Sequence, residues 1–378
     1  VSFRYVSGIN KPGFNPLAAQ TSTTFYNLFS WGKNNSGQLG LGNTTYYSSP
    51  KQVGSLTNWS SFAGLNSSVA AVKTDGTLWS WGQNQFGQLG LGNITSYSSP
   101  KQVGALTSWL NVAAGYGFCF AVKTDGTLWS WGKNNFGQLS LGNRTYYSSP
   151  KQVGALTNWL NTASGSYASC YALKTDGTIW SWGYGGQGAL GLGNITNYSS
   201  PKQIGSLTNW SRVSPSGGYA AIAVTTSGAL YAWGDNSTGS LGLGNTTNYS
   251  SPKQIGALTT WSKISNAGGG SFAIKTDGTI WSWGTNPSGV LGNGTVTNSS
   301  SPAQIGALTN WLYLSANSYA SQHMTAIKTD GTLWAWGSNS VGQLGLGDRT
   351  NRSSPVQVGS LTTWGYSSRA GGSTLALG

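Results

Sequence analysis

The chain reads as an all-β protein: a seven-bladed β-propeller of four-stranded antiparallel blades, its ring closed by N- and C-terminal strands sharing one blade. Three observations predict this. First, the dipeptide Trp-Gly recurs in phase at seven positions, Trp31, Trp81, Trp131, Trp182, Trp233, Trp283 and Trp336, at intervals of 50 to 53 residues. A period of that length with a strand–turn–strand pattern in every copy marks stacked units, each packing only on its neighbours. Second, no segment shows the 3.6-residue apolar period of a helix; short apolar runs alternate with Gly-, Asn- and Asp-rich turns. Third, the seven Trp-Gly strands come with only six complete hairpins, so one blade must be split between the chain ends.

Residues 69 to 115 serve as the type copy. Val69-Ala70-Ala71-Val72 is a small-residue run expected to form a crowded inner strand. Lys73-Thr74-Asp75-Gly76 follows, and Asp-Gly between apolar runs is a strong hairpin signal because both central residues accept positive φ. Thr77–Trp81 is the second strand, rich in β-formers. Residues 82–99 form a long polar loop containing Gly87-Gln88-Leu89-Gly90-Leu91-Gly92. Pro100–Val103 is the third strand, with Pro first, where no ladder bond is lost. Trp109–Ala113 is the fourth. The segment Ser373-Thr374-Leu375-Ala376-Leu377 resembles an inner strand, and it should complete the blade opened by Tyr26–Trp31. All 19 tryptophans fall on three repeat positions, so they are expected to pack the blades rather than to stack on a ligand. The propeller therefore spans residues 25–378, and residues 1–24 lie outside the repeats as an N-terminal arm.

Composition narrows the function classes. Charged residues make up 7 %, Glu is absent, and the surface must be solvated by Ser, Thr, Asn and Gln. This composition is familiar in secreted, surface or virion proteins. The net charge of +13 is dispersed. Five lysines (Lys73, Lys123, Lys174, Lys275, Lys328) precede a turn Asp by two residues and are expected to be neutralised by it. The remaining basic residues form no block, so a dedicated nucleic-acid reader is not indicated. No apolar run reaches the ~20 residues a membrane-spanning helix needs. Cys119 and Cys170 occupy one repeat position in adjacent copies; two small buried residues are expected, and a disulfide stays open. The chain begins at Val1 with no initiator Met and no apolar signal region, so a processed or a trimmed chain is expected. Recurrent Asn-x-Thr triplets from Asn43 to Asn245 keep phase with the repeat and read as turn chemistry.

Trp-Gly-x-Asn-x-x-Gly-Gln-Leu-Gly-Leu-Gly, followed by a Pro-x-x-Val strand and an inner strand ahead of an Asp-Gly turn, resembles the regulator of chromosome condensation repeat. Good copies start at Trp31, Trp81, Trp131 and Trp336, and the resemblance covers about residues 25 to 378. It implies a seven-bladed propeller closed by both termini and protein binding through loops on one face. Family members include exchange factors for small GTPases that also dock on nucleosomes, ubiquitin-ligase modules and a secreted β-lactamase inhibitor protein. The exchange factors depend on an inserted wedge and acidic residues, whereas here the repeat spacing never exceeds 53 residues and Glu is absent. Near-identical copies of the repeat resemble bacterial and phage-encoded members. Within Ile9–Leu17, the residues Lys11, Pro12, Phe14 and Pro16 resemble short arms of phage proteins and imply an assembly role.

Catalysis has little to build with. Five of the seven Asp are turn residues, only Asp235 and Asp348 lie elsewhere, and His323 is the sole histidine. A metal site, a Ser-His pair or a facing carboxylate pair is therefore not expected, and neither is a cofactor. Gly-x-x-Gly-x-Gly is followed by neither a helix nor Lys-Ser/Thr, so it is loop packing and not a phosphate loop. The chain is expected to be no enzyme.

Function is expected where the copies disagree. The Lys-Thr-Asp-Gly and Gly-Ala-Leu-Thr turns share one end of the blade and barely vary. The long loop after Trp-Gly and the loop entering the inner strand share the other end and do vary. This selects Tyr116, Phe118, Tyr167, Tyr184, Tyr219, Phe272, Tyr319 and His323, with Arg144, Arg349 and Arg352 nearby, since Tyr and Arg anchor interfaces. Tyr47, Tyr97, Tyr147, Tyr198 and Tyr249 repeat faithfully and are expected to pack. The expected function is a non-enzymatic structural or binding propeller on a virus particle or outside the cell. Its partner would be a neighbouring virion or surface subunit, a host receptor or a glycan. The alternatives are a GTPase-exchange or chromatin-binding propeller and an enzyme-inhibitor-like propeller.

Overall fold

A computed structural model describes residues 27–378 apart from 56, 65–66, 166–167, 218 and 316–321. The N-terminal arm, including Lys11, Pro12, Phe14 and Pro16, lies outside the described residues. Seven separate four-stranded antiparallel sheets follow one another along the chain. Blade 2 is representative: Trp59–Gly64, Ser68–Lys73, Leu78–Gly82 and Tyr97–Gln102, from the axis outward. Blade 1 is composite. Its two outer strands are Tyr47–Gln52 and Leu28–Gly32, and its two inner ones are Ser373–Leu377 and Tyr366–Ala370. Leu28 faces Leu377 and Gly32 faces Ser373 across the closing ladder. Both termini thus contribute to ring closure, which removes the unpaired edges an open array would leave.

The order within a blade differs from the sequence expectation. The strand led by the second tryptophan, as in Trp59–Gly64, is innermost, and the run at Val69–Val72 is second. Burial supplies the reason. Ser68–Lys73 is buried along its whole length because other strands flank it and other blades cover both its faces, which suits a continuous apolar run. The innermost strands border the axis and carry Asn161, Arg212 and Lys263 on that side. The outermost strand starts at Tyr97 and not at Pro100. It pairs through Gly82↔Tyr97 and Ser80↔Lys101 with a register shift between them. Pro100 sits in that irregular stretch on an edge strand, where its missing N–H breaks no ladder.

The buried apolar residues form seven clusters, one at each blade interface. In one of them Ala70, Val72 and Leu78 of blade 2 meet Val103, Trp109, Cys119 and Trp131. The Trp-Gly tryptophans are fully buried. Each donates its indole N–H to a backbone carbonyl in the long loop of the preceding blade: Trp81 to Gln38, Trp131 to Gln88, Trp182 to Gln138, and so around to Trp31 on Gln343. The seven distances run from 2.7 to 3.1 Å. Two residues beyond the accepting carbonyl stands a glycine in the left-handed region. Gly90 has φ +73°, and a Cβ there would lie 2.8 Å from the Trp131 indole nitrogen.

The turn lysines are not ion-paired to the turn aspartates as expected. The ammonium of Lys123 lies 3.9 Å from the ring centre of Trp129 and 5.0 Å from that of Trp109. The same sandwich recurs at Lys73, Lys174, Lys275 and Lys328. Ring quadrupoles stabilise a desolvated cation. Burial lowers the pKa of Lys73, Lys174 and Lys328, and the nearby aspartate opposes the shift. The aspartates instead accept from threonine: the Thr127 hydroxyl and amide reach Asp125 at 2.6 and 2.9 Å and hold its carboxyl below the usual range. The tyrosines of the outermost strands are half-buried and not fully packed, with Lys51 lying 5.6 Å from the Tyr47 ring centre.

One copy breaks the latch pattern. Ser140 stands where the other blades have glycine, at φ +60°, and its buried hydroxyl has no partner. Left-handed backbone costs an L-residue about 1 kcal/mol or more. Ser140→Gly is expected to raise unfolding free energy by about 1 kcal/mol, and Gly90→Ala to lower it by about 2 kcal/mol or more. Urea denaturation of the two variants beside the parent checks both signs.

Candidate partner-binding face

The two ends of the blades separate as the sequence implied. At one end the Asp-Gly turn meets the entries of its own blade and the next, with Thr74 N bonded to Asn58 O at 2.8 Å and Trp109 N to Gly76 O at 3.1 Å. At the other end the residue after Trp-Gly bonds to the hairpin between the innermost and second strands: Gln83 N to Ser67 O and Lys133 N to Gly117 O, both 2.8 Å. The varying loops therefore share one face of the disc.

A buried asparagine organises the long loop in six of the seven blades. Asn84 accepts from the Leu89 amide at 2.9 Å and donates to the carbonyls of Asn93 and Thr95 at 3.0 and 2.9 Å. This explains the Trp-Gly-x-Asn spacing. Blade 4 has Gly185 at this position and forms a short 3-10 turn, Gly186–Gly188, beside Tyr184.

On this frame the aromatic loop residues gather over blades 2 to 5. Tyr116 is 39 % exposed and lies 6.5 Å, ring to ring, from Phe86. Phe86 in turn lies 6.1 Å from Tyr146, which is 43 % exposed. The Lys133 ammonium sits 4.9 Å from the Tyr116 ring centre and 5.1 Å from that of Phe86. Further round, Phe136 meets Tyr184 at 5.1 Å and Tyr184 meets Tyr219 at 5.2 Å. Tyr219 holds φ +62° at its hairpin tip. Arg144 is exposed in the same sector. Arg349 is exposed across the disc, and Arg352 is tied to Asp348 by a 2.5 Å ion pair.

Three selected residues are not on this surface. Phe118 and Phe272 are fully buried, against Phe120 at 5.8 Å and Trp336 at 6.4 Å respectively. Strand alternation turns them inward, so neither can touch a partner. His323 is also fully buried, with Nε2 2.8 Å from the Thr374 hydroxyl. Burial, reinforced by the Arg369 guanidinium, holds its imidazole pKa well below the usual value. Arg369 donates to the carbonyls of His323 and Asn266 at 2.7 and 2.6 Å, so this is a structural tie between blades. Tyr167 and Tyr319 lie outside the described residues.

Sequence reasoning missed Phe86, Phe136, Tyr146 and Lys133's stacking role. The signal was present: the position of Phe86 and Phe136 holds Ser36, Gln187, Thr238, Ser288 and Val341 in the other copies. It also missed a feature of the opposite face, where Leu106, Leu156, Leu207, Leu258, Leu308 and Leu361 are each 41–50 % exposed. These are separate residues repeating identically, and they give a partner no blade-specific feature to read.

Among the described residues no group of three or more His, Cys, Asp or Glu could hold a metal ion, and no helix is long and apolar enough to cross a membrane.

A ring of seven near-identical blades with one differentiated loop face defines a repeat β-propeller. The regulator of chromosome condensation (RCC1) repeat matches residues 27–72, 75–122, 125–172, 176–223, 227–274, 277–323 and 330–377, and the chain belongs to this family. It is 31 % identical over 196 residues to the ultraviolet-B receptor UVR8 of Arabidopsis thaliana, covering 50 % of this chain and 43 % of that one. It is 32 % identical over 208 residues to the human E3 ubiquitin-protein ligase HERC2, covering 53 % of this chain and 4 % of that one. The chain thus spans less than half the length of these relatives. Among solved structures, human WBSCR16 superposes with a TM-score of 0.82 at 21 % identity, covering 93 % of this chain and 98 % of that one. Prp20p of Saccharomyces cerevisiae, whose structure was described with its binding to Gsp1p and histones, superposes with a TM-score of 0.84 at 19 % identity, covering 99 % and 96 %. Both show the fold.

Cys119 and Cys170 are buried free thiols, and burial pushes both pKa values up; the disulfide left open by the sequence is not formed. Neither thiol is expected to react with a water-soluble thiol reagent in native protein, while both should react in denaturant. Time-resolved thiol titration checks this.

Proposed function

We propose that this chain is a non-catalytic docking propeller that holds a protein partner against the aromatic sector of its variable face. The observation that carries the reading is the run of ring contacts that joins Phe86 to Tyr116 and Tyr146, and Phe136 to Tyr184 and Tyr219, over neighbouring blades of the variable face. Drift scatters changes around the ring, whereas an interface needs its anchors together. Lys133 and the exposed Arg144 give the sector a positive character. An acidic protein surface with apolar side chains complements it, and a basic partner is disfavoured by like charge.

The relatives weight the partner class. Prp20p is described as binding Gsp1p and histones, and a second structure holds it with Kap60. This favours a GTPase or chromatin-associated setting over the virion, cell-surface or host-receptor setting suggested by the Glu-free, Ser/Thr/Asn-rich composition. Within that class the sector's charge favours a GTPase-like acidic surface over histones.

A photo-crosslinking residue placed at Tyr116 is expected to capture a partner in native extract, and one placed at Leu258 on the opposite face is not. With that partner purified, the combined change F86A, Y116A and Y146A should weaken binding about tenfold or more. Crosslinking from Leu258 alone, or unchanged affinity of the triple variant, would move the interface off this sector.

A further inference from the structure

We infer that closure of the ring is acid-sensitive: protonation of His323 releases the clamp that holds the composite blade against blade 7. The inference does not depend on the docking reading. Blade 1 alone is assembled from two separate stretches of chain, held together by the ladder from Leu28–Leu377 to Gly32–Ser373. Both stretches are fastened to one atom of blade 7. The carbonyl of Gln343, in the long loop, accepts the Trp31 indole N–H at 3.0 Å and the Thr374 hydroxyl at 2.7 Å. Trp31 and Thr374 face each other across the closing ladder.

The protons of this clamp can be placed. The Thr374 hydroxyl has one proton, and Gln343 takes it. His323 Nε2, 2.8 Å from the same hydroxyl, must then be the donor, so the neutral ring carries its proton on Nε2. Nδ1 keeps a lone pair with no hydrogen-bond partner, and a second proton has nowhere else to go. His323 is fully buried, and Arg369 of the closing blade donates to its carbonyl at 2.7 Å. A protonated ring would be a second cation beside a buried guanidinium, with no acceptor for its new N–H. The closed seam therefore excludes the proton, and only an opened seam can take it up.

The groups around His323 do nothing to offset that charge. Among the described residues, its own sheet places Gly337 opposite it, and the blade 7 loop and the closing strand bring Gln343, Ser373 and Thr374. The charged groups on this side are Arg369 and Lys33, whose carbonyl takes the Ser373 hydroxyl, and both are cations. Tyr313 is the titratable group that acts on Arg369 in turn. Burial, with Arg369 second, holds the imidazole well below its ordinary value of 6.5. Closure is accordingly at full strength above pH 6.5 and weakens as pH falls below it. At this register the other blades carry Ser68, Phe118, Ser169, Ala220, Gly270 and Ser373, so a base stands at this seam alone. His323 is also the sole histidine of a chain without Glu, so no other side chain has an ordinary pKa between about 5 and 7.

The test begins with urea unfolding of the intact chain at about pH 7 and about pH 5. One histidine that is ordinary in the unfolded chain and stays neutral in the folded one raises the unfolding constant about 25-fold over that interval. H323Q, which keeps a donor for Thr374, should change by less than about twofold, the remainder coming from the aspartates. Hydrogen exchange read by mass spectrometry, corrected for the intrinsic rate at each pH, locates the effect in the parent. Protection of Leu28–Gly32 and Ser373–Leu377 should fall about tenfold or more on acidification, while Ser169–Lys174 in blade 4 keeps its own. The exchange measurement needs no variant and decides the matter even where H323Q does not fold. Equal stability of the parent at both pH values, a pH dependence retained in H323Q, or protection lost evenly round the ring overturns the inference.

Discussion

The indole N–H of each Trp-Gly tryptophan, donated to a carbonyl of the preceding blade, is the constraint on which the rest depends. It fixes where one sheet stands relative to the next, and its repetition makes the array close. The carbonyl must face the indole, so the long loop needs a rigid course, supplied by the buried asparagine and by glycines at positive φ. Trp, Gly, Asn and the Gly-Gln-Leu-Gly segment are thus parts of one device. In blade 4 the asparagine is missing, yet Trp233 still finds the Ala189 carbonyl at 3.1 Å. The latch survives a change in the loop that serves it.

The second recurring device handles charge. A lysine between two indoles lets a turn on a tightly packed ring carry a cation with little bulk exposed, because the ring faces replace part of its hydration. Neutralisation by an adjacent aspartate would have been simpler, but one oxygen of that carboxylate, Oδ1, takes two hydrogen bonds from the threonine two residues on. The net positive charge is accordingly split among sandwiched turn lysines, outer-wall lysines and a few residues facing the loops or the axis. Departures from the repeat on such a scaffold are small: two of the seven long loops carry a phenylalanine, Phe86 and Phe136, where the others carry Ser, Gln, Thr or Val.

Much of the fold was legible from residue spacing. Blade number, antiparallel four-strand units, closure by both termini and the separation of varying from constant turns all follow from a period that the eye can count. The order of strands within a blade did not follow. Val69–Val72 reads as innermost because small residues suit crowding, whereas burial on both faces put it second. The site was legible in part. Tyr116, Tyr184 and Tyr219 stand where variation between copies placed them, while Phe118, Phe272 and His323 vary equally yet point inward. Variation marks a position and says nothing of the direction of its side chain.

By itself, then, the sequence determined the architecture, because spacing between repeated residues is a one-dimensional property that survives folding unchanged. Tertiary structure alone decided which side chains meet. Phe86 and Tyr116 are thirty residues apart in the chain, and Arg369 reaches across to a carbonyl 103 residues away. Such meetings depend on the radial position of a strand and on the alternation of its faces, and both are settled only when seven sheets pack around a common axis.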